Sequence, residues 1–198
     1  MALLGLDRRE LIRFIREVDE ELATITSRHH DMVIGGGAAI ALLWNERRLT
    51  NDIDVVSEGM TPELRKAIGR VAAANSQQLK PGWFNDAAKV AAPQMGIANP
   101  ILVFDGLRLH LYVAPAKYLL LMKLFAARAG DTQDILTLIR EEGIESPDEL
   151  YDLVAEGYGR QLLRPQIAYR IEEVWDMHTR SQERDDPEEQ GTSGRLDS

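Results

Sequence analysis

Asp52-Ile53-Asp54 is the first place in this sequence where residue types and spacing could do chemistry. In a β-strand, residues two apart share a face and lie about 7 Å apart along the chain. Both carboxylates would then point one way, with Ile53 and Val55 buried on the other. Like charges side by side are costly unless something neutralises them. A hard dication does so, and Mg²⁺ takes carboxylate oxygens together with water and phosphate oxygens. Alone, the triplet is equally a pair of solvated acids at a strand end. Upstream, Gly35-Gly36-Gly37 closes the apolar run Met32-Val33-Ile34 and leads straight into AAIALLW (38–44). A strand passing into a helix through glycines leaves backbone N–H groups pointing outward, and without a Cβ a phosphate can approach them. A tight strand–helix turn would use the same glycines. Neither G-x-G-x-x-G nor G-K-[ST] is present, so this is not a dinucleotide fingerprint or a P-loop.

Other residues border this pair or stand out elsewhere. Arg47 and Arg48 could contact phosphates or an RNA backbone, or form a solvated basic turn. Lys123 interrupts the apolar segment YLLLMKLFAA, so it must extend out of it or pair, with a triphosphate or with a carboxylate such as Asp134. Trp83-Phe84-Asn85-Asp86 follows the loop start Lys80-Pro81-Gly82; its aromatic pair could stack a base or cover a cleft, or pack under the loop. Trp44 and Trp175 fall on helical stripes and read as packing.

These residues need a scaffold, and the periodicity supplies one. Leu11, Phe14, Ile15, Val18 and Leu22 recur at helical spacing behind a capping pair, Asp7 and Glu10. Met32–Ile34 and Asp52–Val56 read as strands, and 62–74, opened by Thr61-Pro62, as a helix. Ile101–Phe104 and Leu107–Val113 flank Asp105-Gly106, which predicts a hairpin turning at that pair. Leu107, Leu109, Leu111 and Val113 would share its buried face, opposite Arg108, His110 and Tyr112. Helices follow from Pro115 to about Arg128, from about Thr132, from the Ser146-Pro147 cap, and from Pro165 to about His178. The order implies an α/β (α+β) fold, a small mixed sheet with flanking helices and a helical C-terminal region. The expected divisions are 1–114, 115–178 and a disordered acidic tail, 179–198.

Composition narrows the classes. The chain has 198 residues, 44% hydrophobic and 28% charged, so there is enough apolar material for a core. Cysteine is absent, which excludes disulfides and thiolate zinc sites. The four histidines show no metal-ligand spacing. No apolar run approaches a membrane span and the start lacks a signal-peptide core, so a cytoplasmic protein is expected. A net charge of −9 disfavours nucleic acid except at a local basic patch.

Taken together, GGGAAIALLWNERRLTNDIDVV resembles the signature of the nucleotidyltransferase superfamily: a Gly-Gly turn followed by an acid–apolar–acid strand. Arg48, Thr50, Asp52 and Asp54 form an Arg-x-Thr-x-Asp-Ile-Asp pattern similar to that of minimal nucleotidyltransferases related to AbiEii-type toxins. Downstream, Tyr118 to Leu124 with Arg128, Asp131 and Asp134 looks like a second block of those proteins. Trp83 to Asp86 resembles a third, from an uncharacterised bacterial branch. The resemblance spans roughly residues 10 to 175.

That resemblance implies a nucleoside-triphosphate (NTP) site with Mg²⁺ or Mn²⁺. Gly35, Gly36, Arg48, Thr50 and Lys123 would bind the nucleotide, Asp52 and Asp54 the metal, and Asp52, Asp54 and Lys123 would carry catalysis. The acceptor would be RNA, a protein or a small molecule, with a toxin–antitoxin role and a cognate antitoxin as partner. Many superfamily members carry a third carboxylate on a later strand, and Leu107–Val113 has none. Asp86 or Asp134 could supply it, or His110 could act as base. The remaining reading is a degenerate nucleotide-binding or partner-binding module of the same fold.

Overall fold

The computed structural model describes residues 5–185. Its centre is a five-stranded mixed sheet of β1 (His30–Gly35), β2 (Ile53–Val55), β3 (Phe84–Asn85), β4 (Ile101–Asp105) and β5 (Leu109–Val113). The spatial order is β3-β2-β1-β5-β4. β1 runs parallel to β5 and antiparallel to β2; β2 and β3 are parallel, and β4 and β5 form the antiparallel hairpin. β3 is a strand the sequence does not announce, because two residues carry no periodicity.

α1 (Arg8–Ile25) starts at a capping box in which Asp7 accepts from the Glu10 backbone and Glu10 accepts from that of Asp7. Its stripe Leu11, Phe14, Ile15, Val18 and Leu22 is fully buried. α2 (Gly36–Leu43) is Gly- and Ala-rich and runs through the interior, and α3 (Pro62–Ala74) packs on α1. Trp83 is completely buried, edge-on to Phe14 and Phe84 at 5.8 and 5.6 Å between ring centres, so the aromatic pair serves the core.

The hairpin differs from expectation. Asp105 closes β4 opposite His110, and the bend is Gly106 to Arg108. Leu107 lies in that bend, 60% exposed, instead of sharing the buried face of Leu109 and Leu111. The cause is Asp19 of α1. Its carboxylate accepts the backbone N–H groups of Leu107 (2.9 Å), Arg108 (2.6 Å) and Leu109 (2.8 Å). A side chain at Gly106 would strike that carboxylate and the Phe104 ring.

The C-terminal region is helical: α4 (Ala116–Ala126), α5 (Thr132–Glu142), α6 (Pro147–Tyr158) and α7 (Pro165–Asp185). α4 is apolar on nearly every side because α5, α6 and α7 all pack on it. Gly157 of α6 gives way to Leu121, which leaves no room for a Cβ. α7 continues to Asp185, past the expected start of a disordered tail at Thr179. Local bonds extend it: the Ser181 hydroxyl donates to the His178 carbonyl, and Arg180 pairs with Asp176. The rest of the expected tail, 186–198, lies outside the described residues.

Candidate functional site

Ile53 and Val55 are fully buried, which forces Asp54 between them onto the opposite face of β2. Register then places Asp54 beside Gly35 on one side and Asn85 on the other. The chain after Gly35 turns through Gly36, whose φ of +67° suits glycine, and a Cβ there would run into the Asp54 carboxylate. At Gly37 an added Cβ would lie 2.9 Å from the Thr50 hydroxyl. The glycine bend thus rests directly on the acidic strand, at the N-terminus of α2.

Asp52 and Asp54 both line a cleft of about 790 Å³, with Gly36, Gly37, Arg48 and Thr50 on the same lining. Lys80 reaches Asp52 at 3.8 Å. Burial pushes the proton affinity of Asp54 up and the Asp52 charge pushes it further, against Arg128, Lys123 and Lys80, which pull it down. Arg128 borders the cleft with no ion pair among the described residues. The sequence singles it out only within the second resembling block, and its place just after the C-cap of α4 is what brings it to the cleft.

The remaining predicted residues divide between this cleft and other places. Gly35 ends β1 just behind the cleft lining, where a Cβ would meet Val56, Leu119 and Met122, the last two of which line the cleft. Thr50 is buried, and its hydroxyl donates to the Asp52 carbonyl at 3.2 Å, which shapes the loop before the acids. Lys123 lines the cleft but is buried between Asp131 (2.7 Å) and Asp134 (2.8 Å). Asp134, 2% exposed, also binds the Arg48 guanidinium at 3.1 Å and so ties α5 to the loop before β2. Asp86 pairs with Arg65 off the cleft. His110 sits opposite Asp31, four residues before Gly35 and so about 13 Å back along β1. Its ring nitrogens face Asp31 (2.8 Å) and Asp105 (3.3 Å).

Among the described residues no group of three or more acids and histidines is placed to hold a metal ion. Two carboxylates of hard oxygen remain, one of them crowded against a glycine backbone beside a like charge. That donor pair suits Mg²⁺ or Mn²⁺, ions that keep water and take substrate phosphate oxygens to complete their shells.

The candidate site is therefore an acidic strand backed by a glycine bend, on a mixed α/β sheet with a helical wall. The chain belongs to a nucleotidyltransferase family of unknown function (DUF6036), which matches residues 11–151. No curated protein and no solved structure matches it. No helix among the described residues is long and apolar enough to cross a membrane.

Proposed function

We propose that the protein transfers a nucleoside monophosphate from an NTP to an acceptor hydroxyl, with Asp52 and Asp54 holding Mg²⁺ or Mn²⁺. The observation that carries this reading is the register of Asp54 beside Gly35, which sets the acid pair against the glycine bend. The backbone N–H groups of Gly36 and Gly37 hold phosphate oxygens at the start of α2. Lys80 and Arg128 place positive charge on the same cleft, where it opposes the charge of the triphosphate. The dication supplies charge neutralisation at the phosphates when bound. The acceptor hydroxyl oxygen bonds to the α-phosphorus and releases its proton to water, the bond from that phosphorus to the α,β-bridging oxygen breaks, and pyrophosphate leaves. Lys123 acts from a fixed position, because Asp131 and Asp134 both grip it.

The acceptor is RNA, protein or a small molecule. The Arg48-x-Thr50-x-Asp52-Ile53-Asp54 pattern supports a toxin role like that of AbiEii-type proteins, paired with an antitoxin. A degenerate binding module of the same fold is favoured by one observation: among the described residues no third acid joins Asp52 and Asp54 in a metal-holding group. Labelled NTP incubated with the dication, total RNA and candidate proteins separates the two. Transfer that falls by a factor on the order of 10³ in the Asp52→Asn/Asp54→Asn variant supports the enzyme. Transfer that survives both substitutions refutes a metal-holding role for the two acids, and binding without transfer supports the module.

A further inference from the structure

The cleft is not uniform. Its acids, its glycine bend, Lys80 and Arg128 suit phosphate and metal. Another part of its lining comes from α4 and the short turn Ala87–Ala91, which pack on each other. There Met122 and Ala126 of α4 and Ala87, Ala88 and Val90 of the turn offer no hydrogen-bonding side chain. Val90 is 96% exposed, more than any other large apolar side chain among the described residues. A single exposed valine is ordinary. One that sits on a cleft wall made of alanines and a methionine marks a surface built for apolar contact.

The turn is also held in place. The Asn85 amide donates to the Gly82 carbonyl (3.1 Å) and accepts the Ala87 N–H (2.9 Å), which uses both ends of the side chain on the loop. Arg65 grips Asp86 at 2.9 Å, and Lys89 reaches Glu58 at 3.2 Å. Asn85 therefore fixes the wall through one hydrogen bond at each end of its amide. The cleft volume falls in the range that holds nucleotide-sized ligands.

We infer that the nucleobase rests on the wall of Met122, Ala126 and Val90 and is held by its flat face, with its polar edge left to solvent. The inference rests on the proposed NTP site and adds its base selectivity. A site that reads area prefers purines to pyrimidines and treats ATP and GTP alike, since no side chain there distinguishes their edges.

Calorimetric titration of the whole protein in Mg²⁺ tests this, with ATP, GTP, CTP, UTP and inorganic tripolyphosphate as probes. The wild type is expected to bind ATP and GTP equally, and each about fivefold more tightly than CTP or UTP. Val90→Asn should weaken ATP about fivefold and leave tripolyphosphate unchanged. Val90→Trp should tighten ATP, and because Val90 is exposed neither substitution disturbs the core. The base seat is overturned if Val90→Asn binds ATP as the wild type does, or if UTP matches ATP. It is also overturned if tripolyphosphate binds the wild type as tightly as ATP, an outcome that leaves the phosphate end standing. Failure of both ATP and tripolyphosphate to bind the wild type overturns the proposed function itself.

Discussion

Two pairs of aspartates meet around one cleft, and they are treated in opposite ways. Asp131 and Asp134 receive two built-in cations: Lys123 touches both, and Arg48 adds a second contact to Asp134. Among the described residues Asp52 and Asp54 receive one ion pair, from Lys80 at 3.8 Å to Asp52, while Arg128 and Lys123 act on Asp54 without pairing with it. The first pair is neutralised by the chain and acts as a clamp between α4, α5 and the loop before β2. In the second, burial first and then the Asp52 charge raise the proton affinity of Asp54. That difference in treatment supports the metal-holding role proposed for the second pair.

The contrast can be broken at several points. The largest effect is the loss of transfer in Asp52→Asn/Asp54→Asn, and the same variant should unfold no more easily than the wild type without a dication. Asp134→Asn should do the reverse for stability. It leaves Arg48 without its carboxylate and Lys123 with Asp131 alone, and should cost about 2–3 kcal/mol in urea unfolding, less than a fully stranded buried charge would. Gly36→Ala comes next. It forces a Cβ against Asp54 at a positive φ, and should cost about 2 kcal/mol. It should also abolish any dication-dependent rise in Tm.

For the wild type, a dication at tenfold excess over its Kd should stabilise by about 1.4 kcal/mol, a rise of about 3–6 °C in Tm. This shift has a defined pH dependence. Because the folded chain raises the proton affinity of Asp54, the stability contributed by its proton is fully present below the unfolded carboxylate pKa. It is lost as pH rises through the folded pKa. The dication competes with that proton, so its Tm shift should grow with pH over that window and vanish in acid. The smallest effect is Lys80→Ala, which should change unfolding by less than about 0.5 kcal/mol, since the pair is long and both partners are partly exposed. A larger loss would mean that the chain neutralises Asp52 after all.

Local pattern carried much of this organisation. The helical stripe of α1, the cap at Ser146 and the glycine bend leading to an acidic strand are all written in neighbouring residues. Residues far apart in sequence carried the rest. Arg48 meets Asp134 across the fold, and neither position advertises the other. Asp19 stands four residues after Ile15 and so on the buried face of α1, which is a readable signal that a carboxylate there must find donors. Which donors it finds depends on the hairpin arriving beside α1, and that arrival shifts the turn away from Asp105-Gly106. Asn85 likewise becomes a loop fastener only once β3 has paired with β2.

One wall of the cleft belongs to α4, which follows every strand in the chain. On the ribosome the acid pair and the glycine bend are therefore made before the surface that encloses them. A growing chain can complete its sheet while it still has no pocket, and the cleft closes only when Lys123 has found Asp131 and Asp134.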